Sequence, residues 1–289
     1  MSGVTPGMPT TLAQVTPVLL TYNEAQNIRR TLSQLHWATE IVVVDSGSTD
    51  DTISILSEFP KVRMFRRIFD SHGQQWRFAT QETGIRTPWL LRLDADYFVP
   101  DALIDEMACL RPDDEVDAYE IGFDYAVFSK RLRSSLYPPN IILLRNGRFK
   151  VFDRGHTEQW SVDGAIRKLN GRVVHDDRKQ LERWLSSQIR YMRLEQDAVF
   201  RDRRRLRRWL REHPPLMPIA IFLYCLIGKR LIFDGKAGLY YAIQRTMAEA
   251  VLSLLLIERG LRVSPPNEIP GSLSEVGASR DADERGGGK

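Results

Sequence analysis

A chain of 289 residues with 43% hydrophobic content is long enough for one large α/β domain with a real core and an appendage. Net charge is a modest +4, and Cys109 and Cys225 form neither a Cys-x-x-Cys pair nor a metal-type spacing. Neither a disulfide scaffold nor a zinc site is therefore indicated, and a reducing compartment fits.

Residues 1–14 have neither the charged nor the apolar region of a secretory signal and read as a flexible tail. Pro17–Thr21 (PVLLT) reads as a buried strand. Tyr22-Asn23-Glu24 then opens a helix with Ile28, Leu32 and Leu35 on one face. Glu40–Asp45 (EIVVVD) is a second apolar run ending in an acid, followed by Ser46-Gly47-Ser48-Thr49-Asp50, a turn and helix cap. Lys61–Arg66 fits a third strand and Gly73–Gly84 a helix. Leu90–Asp96 (LLRLDAD) ends abruptly in two carboxylates. Strand side chains alternate, so Asp94 and Asp96 face one side if the strand continues. Such a pair suits a hard cation, Mg²⁺ or Mn²⁺; a helix-entry turn gives the same string. Strands alternating with helices make a parallel sheet, whose ligands bind beyond the carboxyl ends of the strands. Tyr22, Glu24, Asp45, Asp94 and Asp96 would gather on that edge.

Asp101–Leu110 fits another helix. From Ala118 the pattern shifts, and Tyr119–Phe128, Asn140–Arg145 and Gly171–His175 read as strands. A long amphipathic helix follows, with Leu181, Trp184, Leu185, Ile189 and Met192 on one face. It closes on Arg201, Arg203, Arg204, Arg205, Arg207, Arg208 and Arg211. Leu216–Ile227 is apolar but shorter than the roughly 20 residues a span needs. Gly238–Ile257 carries Gln244, Arg245 and Glu249, which are costly in lipid. With a turn at Asp234-Gly235, the two read as a helical hairpin lying in a membrane interface. The alternative is a pair of core helices packed on the domain. From Ser264 the composition predicts disorder.

The strings T-Y-N-E (Thr21–Glu24), V-V-V-D-S-G-S-T-D-D-T (Val42–Thr52) and L-D-A-D (Leu93–Asp96), at this spacing, resemble the family 2 glycosyltransferases. To about residue 260 the chain is also similar to bacterial enzymes that build lipopolysaccharide core and other surface polysaccharides. The resemblance implies the GT-A fold, a Rossmann-like α/β domain with a mostly parallel sheet flanked by helices. The expected division is a tail over 1–14, the GT-A catalytic domain over 15–177, the amphipathic helix and apolar hairpin over 178–263, and a disordered tail over 264–289. The implied activity is inverting transfer of a sugar from a nucleotide-diphosphate donor, with Mg²⁺ or Mn²⁺.

Asp94 and Asp96 would serve the metal, one of them supporting the ribose or the metal's water shell; Asp96, as the residue nearer the open mouth, is the expected direct ligand. His175, ending a strand as V-V-H, resembles the late histidine that approaches the metal or diphosphate; a solvated strand-end histidine is the alternative. Tyr22, Glu24 and Asp45 would frame the base and ribose, with capping of the next helix the alternative for Asp45. Arg77 would bind diphosphate bidentately or point to solvent. The general base is expected to be Glu158, with Asp163 second, its pKa raised by burial. Family members commonly place a histidine beside that acid; here Arg154-Gly155-His156-Thr157-Glu158 sets His156 one residue further away. His156, Asp176 and Asp177 would line the acceptor side. Gln180–Trp184 spells the Q-x-x-R-W of processive synthases, but on an amphipathic helix it reads as packing.

The arginine run lacks interleaved glycine or aromatic platforms and adjoins apolar helices, which suits an anionic membrane surface and not nucleic acid. The expected protein is a peripheral or monotopic enzyme on the cytoplasmic face of the inner membrane, acting on a lipid-linked saccharide in cell-envelope glycan synthesis. The alternatives are a catalytically inactive, nucleotide-binding scaffold and a nucleotidyltransferase, whose usual glycine-rich basic turn is replaced here by T-Y-N-E-A-Q-N.

Overall fold

The computed structural model describes residues 12–154, 157–196, 213 and 216–263. Strands β1 (Val15–Thr21), β2 (Ile41–Asp45), β3 (Val62–Arg66) and β4 (Trp89–Asp94) alternate with helices α1 (Ile28–Ser33), α2 (Thr52–Ser57) and α3 (His72–Gln81). β1 pairs in parallel with both β2 and β4, and β2 with β3. β2 is buried along its whole length, as expected of a strand covered on both faces. Beyond β4 come β5 (Tyr97–Phe98), α4 (Asp101–Ala108), β6 (Val116–Val127), β7 (Lys130–Arg131), β8 (Asn140–Arg145), β9 (Phe149–Arg154), β10 (Thr157–Val162) and β11 (Ala165–His175).

The main sheet runs β3-β2-β1-β4-β8-β6-β11-β5, with β7 paired onto β6. The chain moves outward from β1 through β2 to β3, then returns to add β4 on the other side of β1. The topological switch point therefore lies between β1 and β4, where such sheets open a ligand crevice. One face packs on Ile28, Leu32, Leu103 and Met107. The other packs on Trp76 and Ala79 of α3 and on Phe149, Val151 and Trp160 of the β9–β10 hairpin.

That hairpin is absent from the sequence reading, because its polar residues show no sustained alternation. The structure fixes it through α3: Asp153 Oδ1 accepts from the Gly73 N–H at 2.8 Å, and Asp153 Oδ2 accepts from Ser71 Oγ at 2.9 Å. A Cβ at position 73 would lie 2.7 Å from the Asp153 carboxylate, so this approach needs glycine. β11 begins six residues before the expected Gly171. Its first part is mostly exposed and is held by pairing to β6, not by burial.

Helix α5 (Leu181–Glu195) crosses back over the strand ends, with Trp184 buried. Then come α6 (Leu216–Leu223), a π-type turn (Tyr224–Gly228), a short 3₁₀ segment (Leu231–Asp234) and α7 (Gly235–Val263). Gly235 adopts φ +59°, consistent with the expected turn. The apolar hairpin packs on the domain along one side, as the core-helix alternative predicts. One side forms a core with the sheet through Val127, Leu132, Cys225, Leu231, Ala237 and Tyr241. Its other side leaves Ile219, Leu223, Ile227, Ile232 and Phe233 exposed. Among the described residues no single helix is long and apolar enough to cross a membrane; Leu216–Gly228 and Leu231–Arg262 pass that test only as a pair bent by 72°. Residues 1–11 and 264–289, His156 and the arginine run lie outside the described residues; Leu12–Gln14 form a 3₁₀ turn with Leu12 packed on the core, so the expected tail is shorter at that end.

Candidate active site

The turn after β1 and the turn after β2 are stapled together. Asn23 sits at φ +54°, a conformation asparagine tolerates better than most residues. Its side-chain oxygen accepts from the Thr49 N–H at 2.6 Å, and its own N–H donates to Ser48 Oγ at 2.7 Å. Asp45 is wholly buried and accepts from the N–H groups of Gly47 and Ser48 at 2.8 and 2.9 Å. It also accepts from Ser48 Oγ. It organises the turn on which a nucleotide would rest. Tyr22 is exposed beside it.

Glu24 is buried, receives Asn27 Nδ2 at 2.9 Å, and faces Lys179 Nζ at 3.1 Å. Burial raises its pKa against the pull of Lys179. Lys179 also reaches Asp177 at 3.3 Å and Asp96 at 3.4 Å. Its side chain is 19% exposed, and burial, which disfavours its charge, is outweighed by these carboxylates, so its pKa is raised. Arg183 donates to the carbonyls of Tyr22 and Asn23. Of the Q-x-x-R-W string, Trp184 does pack, but Arg183 holds the β1–α1 turn. These side chains enclose a pocket of about 130 Å³ lined by Asn23, Glu24, Asn27, Lys179, Gln180 and Arg183.

The two acids of D-A-D part company. β4 stops at Asp94, and Ala95-Asp96 turn away, pinned by Thr31 Oγ1 donating to the Ala95 carbonyl at 2.7 Å. The strand does not continue, so the expected shared face is lost. Asp94 stands open at the mouth, while Asp96 is buried, the reverse of the expected order. Solvent reaches Asp94, yet the protein around its carboxylate and the neighbouring Asp96 charge raise its pKa. His175 Nε2 lies 3.3 Å from Asp96 Oδ2. Burial opposes ionisation of Asp96, but His175 and Lys179 outweigh it and hold its pKa well below the usual range. Burial likewise opposes a charged His175, and Asp96 reverses this, raising the imidazole pKa.

The donor set fits a hard cation that arrives with a diphosphate. Asp96 Oδ1 is buried without a partner. Among the described residues no cluster of three His, Cys, Asp or Glu side chains could hold an ion unaided. Hard cations take six or more oxygens, so the remainder would come from phosphate and water.

Glu158 comes to the same mouth from β10, close enough that its charge also raises the pKa of Asp94. It forms an ion pair with Arg92, whose guanidinium is buried over the rings of Trp76 and Trp160 at 5.5 and 4.9 Å. Burial would raise the Glu158 pKa, but Arg92 outweighs it and lowers it, contrary to the expected upward shift. Arg92 was legible in principle, since it stands two residues before Asp94 on the same strand face.

Three expected site residues are corrected. Asp163 follows β10, five strand steps of about 3.3 Å beyond Glu158, so it lies roughly 15 Å along the hairpin from the mouth, too far to act as a base. Arg77 donates to Gln74 Oε1 at 3.0 Å and to the Val151 carbonyl at 3.2 Å, under the hairpin and not at the donor edge. Asp176 is a buried clamp: it pairs with Arg30 at 2.7 Å and Arg178 at 3.0 Å and accepts from the Ser129 N–H at 3.1 Å, leaving no acceptor-side role. Asp177 is paired with Lys179 and is not part of that clamp.

Residues 17–167 match the family described as Glycosyl transferase family 2. The chain belongs to that family. It is a glycosyltransferase of GT-A fold, a mixed α/β sheet flanked by helices, with additional C-terminal helices. A lipopolysaccharide core biosynthesis glycosyltransferase, LpsC of Rhizobium meliloti (strain 1021), is 23% identical over 191 residues, covering 62% of this chain and 69% of that one. Among solved structures, S. aureus TarS 1-349 in complex with UDP-GlcNAc is 14% identical, covers 85% of this chain and 92% of its own, and has a TM-score of 0.39. Glucosyl-3-phosphoglycerate synthase from Mycobacterium tuberculosis, in complex with Mg²⁺ and UDP, is 16% identical, covers 63% and 78%, and also scores 0.39.

Proposed function

We propose that this glycosyltransferase transfers a sugar, with inversion, from a nucleotide-diphosphate donor to a lipid-linked saccharide of the cell envelope. The observation that carries the reading is the meeting of Glu24, Asp94, Asp96, His175 and Glu158 at the β1/β4 switch point, with a buried Asp96 oxygen left free. Tyr22, Glu24 and the turn held by Asp45 frame the nucleotide. Asp96 and Asp94, with His175 beside them, would hold Mg²⁺ or Mn²⁺, which supplies Lewis-acid neutralisation of the leaving diphosphate. Glu158 takes the proton of the attacking hydroxyl after leaving Arg92. Asp177 borders the acceptor side. The curated relative named for lipopolysaccharide core biosynthesis supports an envelope acceptor.

The exposed apolar side of the C-terminal hairpin supports a membrane-bound acceptor. Lys229, Arg230 and Lys236 flank Ile232 and Phe233 at its bend, an arrangement suited to the anionic cytoplasmic leaflet.

Thermal-shift and calorimetric titration of UDP-, GDP- and dTDP-sugars, each with Mn²⁺ or with a chelator, tests the reading. One donor should raise the melting temperature with metal and not with chelator. Asp96→Asn should lower turnover by about 10³-fold or more, since metal stabilisation is worth several kcal/mol. Near wild-type turnover in that variant would sink the assignment. Donor binding with neither transfer nor hydrolysis would favour the scaffold reading.

A further inference from the structure

His175 is oriented by an unusual means. A metal-binding histidine normally donates its second ring N–H to an oxygen, which fixes the ring. Here Nδ1 of His175 is buried with no partner, while Nε2 faces Asp96. The imidazole is held by rings instead. Tyr125 and Tyr97 lie opposite it on the flanking strands β6 and β5, with centroids at 4.8 and 5.3 Å. Tyr137 closes the third side at 4.8 Å, its hydroxyl 2.5 Å from that of Tyr97.

Two of these three rings are held in turn by one residue of the C-terminal hairpin. Tyr241 of α7 is fully buried and meets the Tyr125 ring edge-on at 4.7 Å. Its hydroxyl accepts from the N–H of Leu136, the residue next to Tyr137, at 2.8 Å. Arg133, on the same loop, donates its N–H to Asp234 at the hairpin bend at 3.0 Å. We infer that Tyr241 is a positioning residue for His175, so that the C-terminal hairpin completes the metal-facing side of the active site and is not a detachable anchor. The contact with Asp96 is long and the Nδ1 edge is held by packing alone, so loss of the buttressing ring lets the imidazole tilt away from Asp96. The inference rests on the reading that Asp96 and His175 face the cation.

The experiment uses the full chain. Tyr241→Leu removes ring and hydroxyl, and Tyr241→Phe restores the ring alone. Leu252→Ala, at a buried α7 position outside the His175 ring cluster, controls for general loosening of the hairpin. In metal-free protein, the His175 ring-proton resonances should move in Tyr241→Leu and stay close to wild type in Tyr241→Phe and Leu252→Ala. Mn²⁺ affinity in the presence of UDP should fall about 10- to 100-fold in Tyr241→Leu, the usual effect of losing a group that orients a metal ligand. The Phe variant should recover most of it. If Tyr241→Leu does not fold, Tyr241→Met, which keeps more of the side-chain volume without the ring, gives the same two readouts. Resonances and affinity unchanged in the folded variant, beside a lowered melting temperature, would overturn the inference. Should wild type bind no Mn²⁺ while the resonances still move, the cation reading falls and the buttress stands.

Discussion

The two sides of the cleft hold their charges by different means. On the β1–β2 side the backbone does it: Asp45 takes the N–H groups of Gly47 and Ser48, and Asn23 takes those of Thr49 and Asp50. On the β4–β11 side charges hold one another. Arg92 holds Glu158, and Lys179 holds Glu24, Asp96 and Asp177. Backbone dipoles fixed in a turn stay put when a charged ligand arrives, and so are preorganised. Ion pairs do not, because an incoming cation or phosphate competes for the same carboxylates and ammonium. On the proposed reading the first side is a template, and the second would exchange partners as the site fills.

The largest test of this contrast is Glu158→Gln. The amide keeps the shape but cannot take a proton, and losing a general base costs about 10²–10⁴-fold in rate. Donor affinity should stay near wild type, because Glu158 lies outside the proposed nucleotide frame of Tyr22, Glu24 and the turn held by Asp45. Single-turnover rates beside calorimetric donor affinities separate the two effects. An equal loss in both would show that Glu158 serves the donor instead.

A smaller effect is expected at Lys179. Breaking a buried ion pair from one side costs about 3–5 kcal/mol, and the part-exposure of this ammonium reduces that, so Lys179→Met should cost at most about 3 kcal/mol in metal-free protein. Because Lys179 neutralises Glu24, Asp96 and Asp177, saturating Mg²⁺ should stabilise the variant more than wild type. Denaturant midpoints with and without Mg²⁺ check this, and equal stabilisation of both proteins would break the idea that this side exchanges partners. A matched change at the exposed Arg29–Glu58 pair should leave the midpoint unmoved.

The contrast also explains which parts of the molecule were legible in the sequence. Asp45, Asp94 and Asp96 sit at or just past the ends of apolar runs, where strand periodicity and turn chemistry agree, and β2 and β4 were legible from those runs. The helix cap offered as the alternative for Asp45 is not formed; Asp45 holds the turn instead, because an acid beside Ser-Gly-Ser finds N–H donors within three residues. The charge-held side depends on partners far apart in the chain. Arg92 meets Glu158 across 66 residues, and Arg30 meets Asp176 across 146. No local pattern announces such pairs, so Asp176 read as an acceptor residue and Glu158 as a base with a raised pKa. Lys179 and Arg183 were hidden because their role comes from α5 crossing the strand ends, which amphipathic spacing does not specify. Asp163 failed for a topological reason, since β10 carries the chain beyond Glu158, along the hairpin and away from the mouth.

The finest distinction is one of pH. Because Arg92 outweighs burial and lowers the Glu158 pKa, the folded state prefers the ionised carboxylate more than the unfolded chain does. For such an acid the stabilisation is present above the unfolded pKa, about 4.3, and is lost as pH falls through the lower folded value. Wild type should therefore lose stability between about pH 5 and pH 3 by a component that Glu158→Gln lacks, read as converging urea midpoints of the two proteins. The same pairing places the Glu158 component of the acid limb of kcat/KM below the ordinary glutamate range, beneath the components of His175, Asp94 and Glu24, whose pKa values are raised. Arg92→Met removes the counter-charge and leaves burial alone, which raises the pKa of a carboxyl. Its acid limb should shift upward while donor affinity at pH 7 changes little. An unmoved limb would mean that Glu158 does not titrate in the reaction, and that its partnership with Arg92 belongs to the hairpin's packing alone.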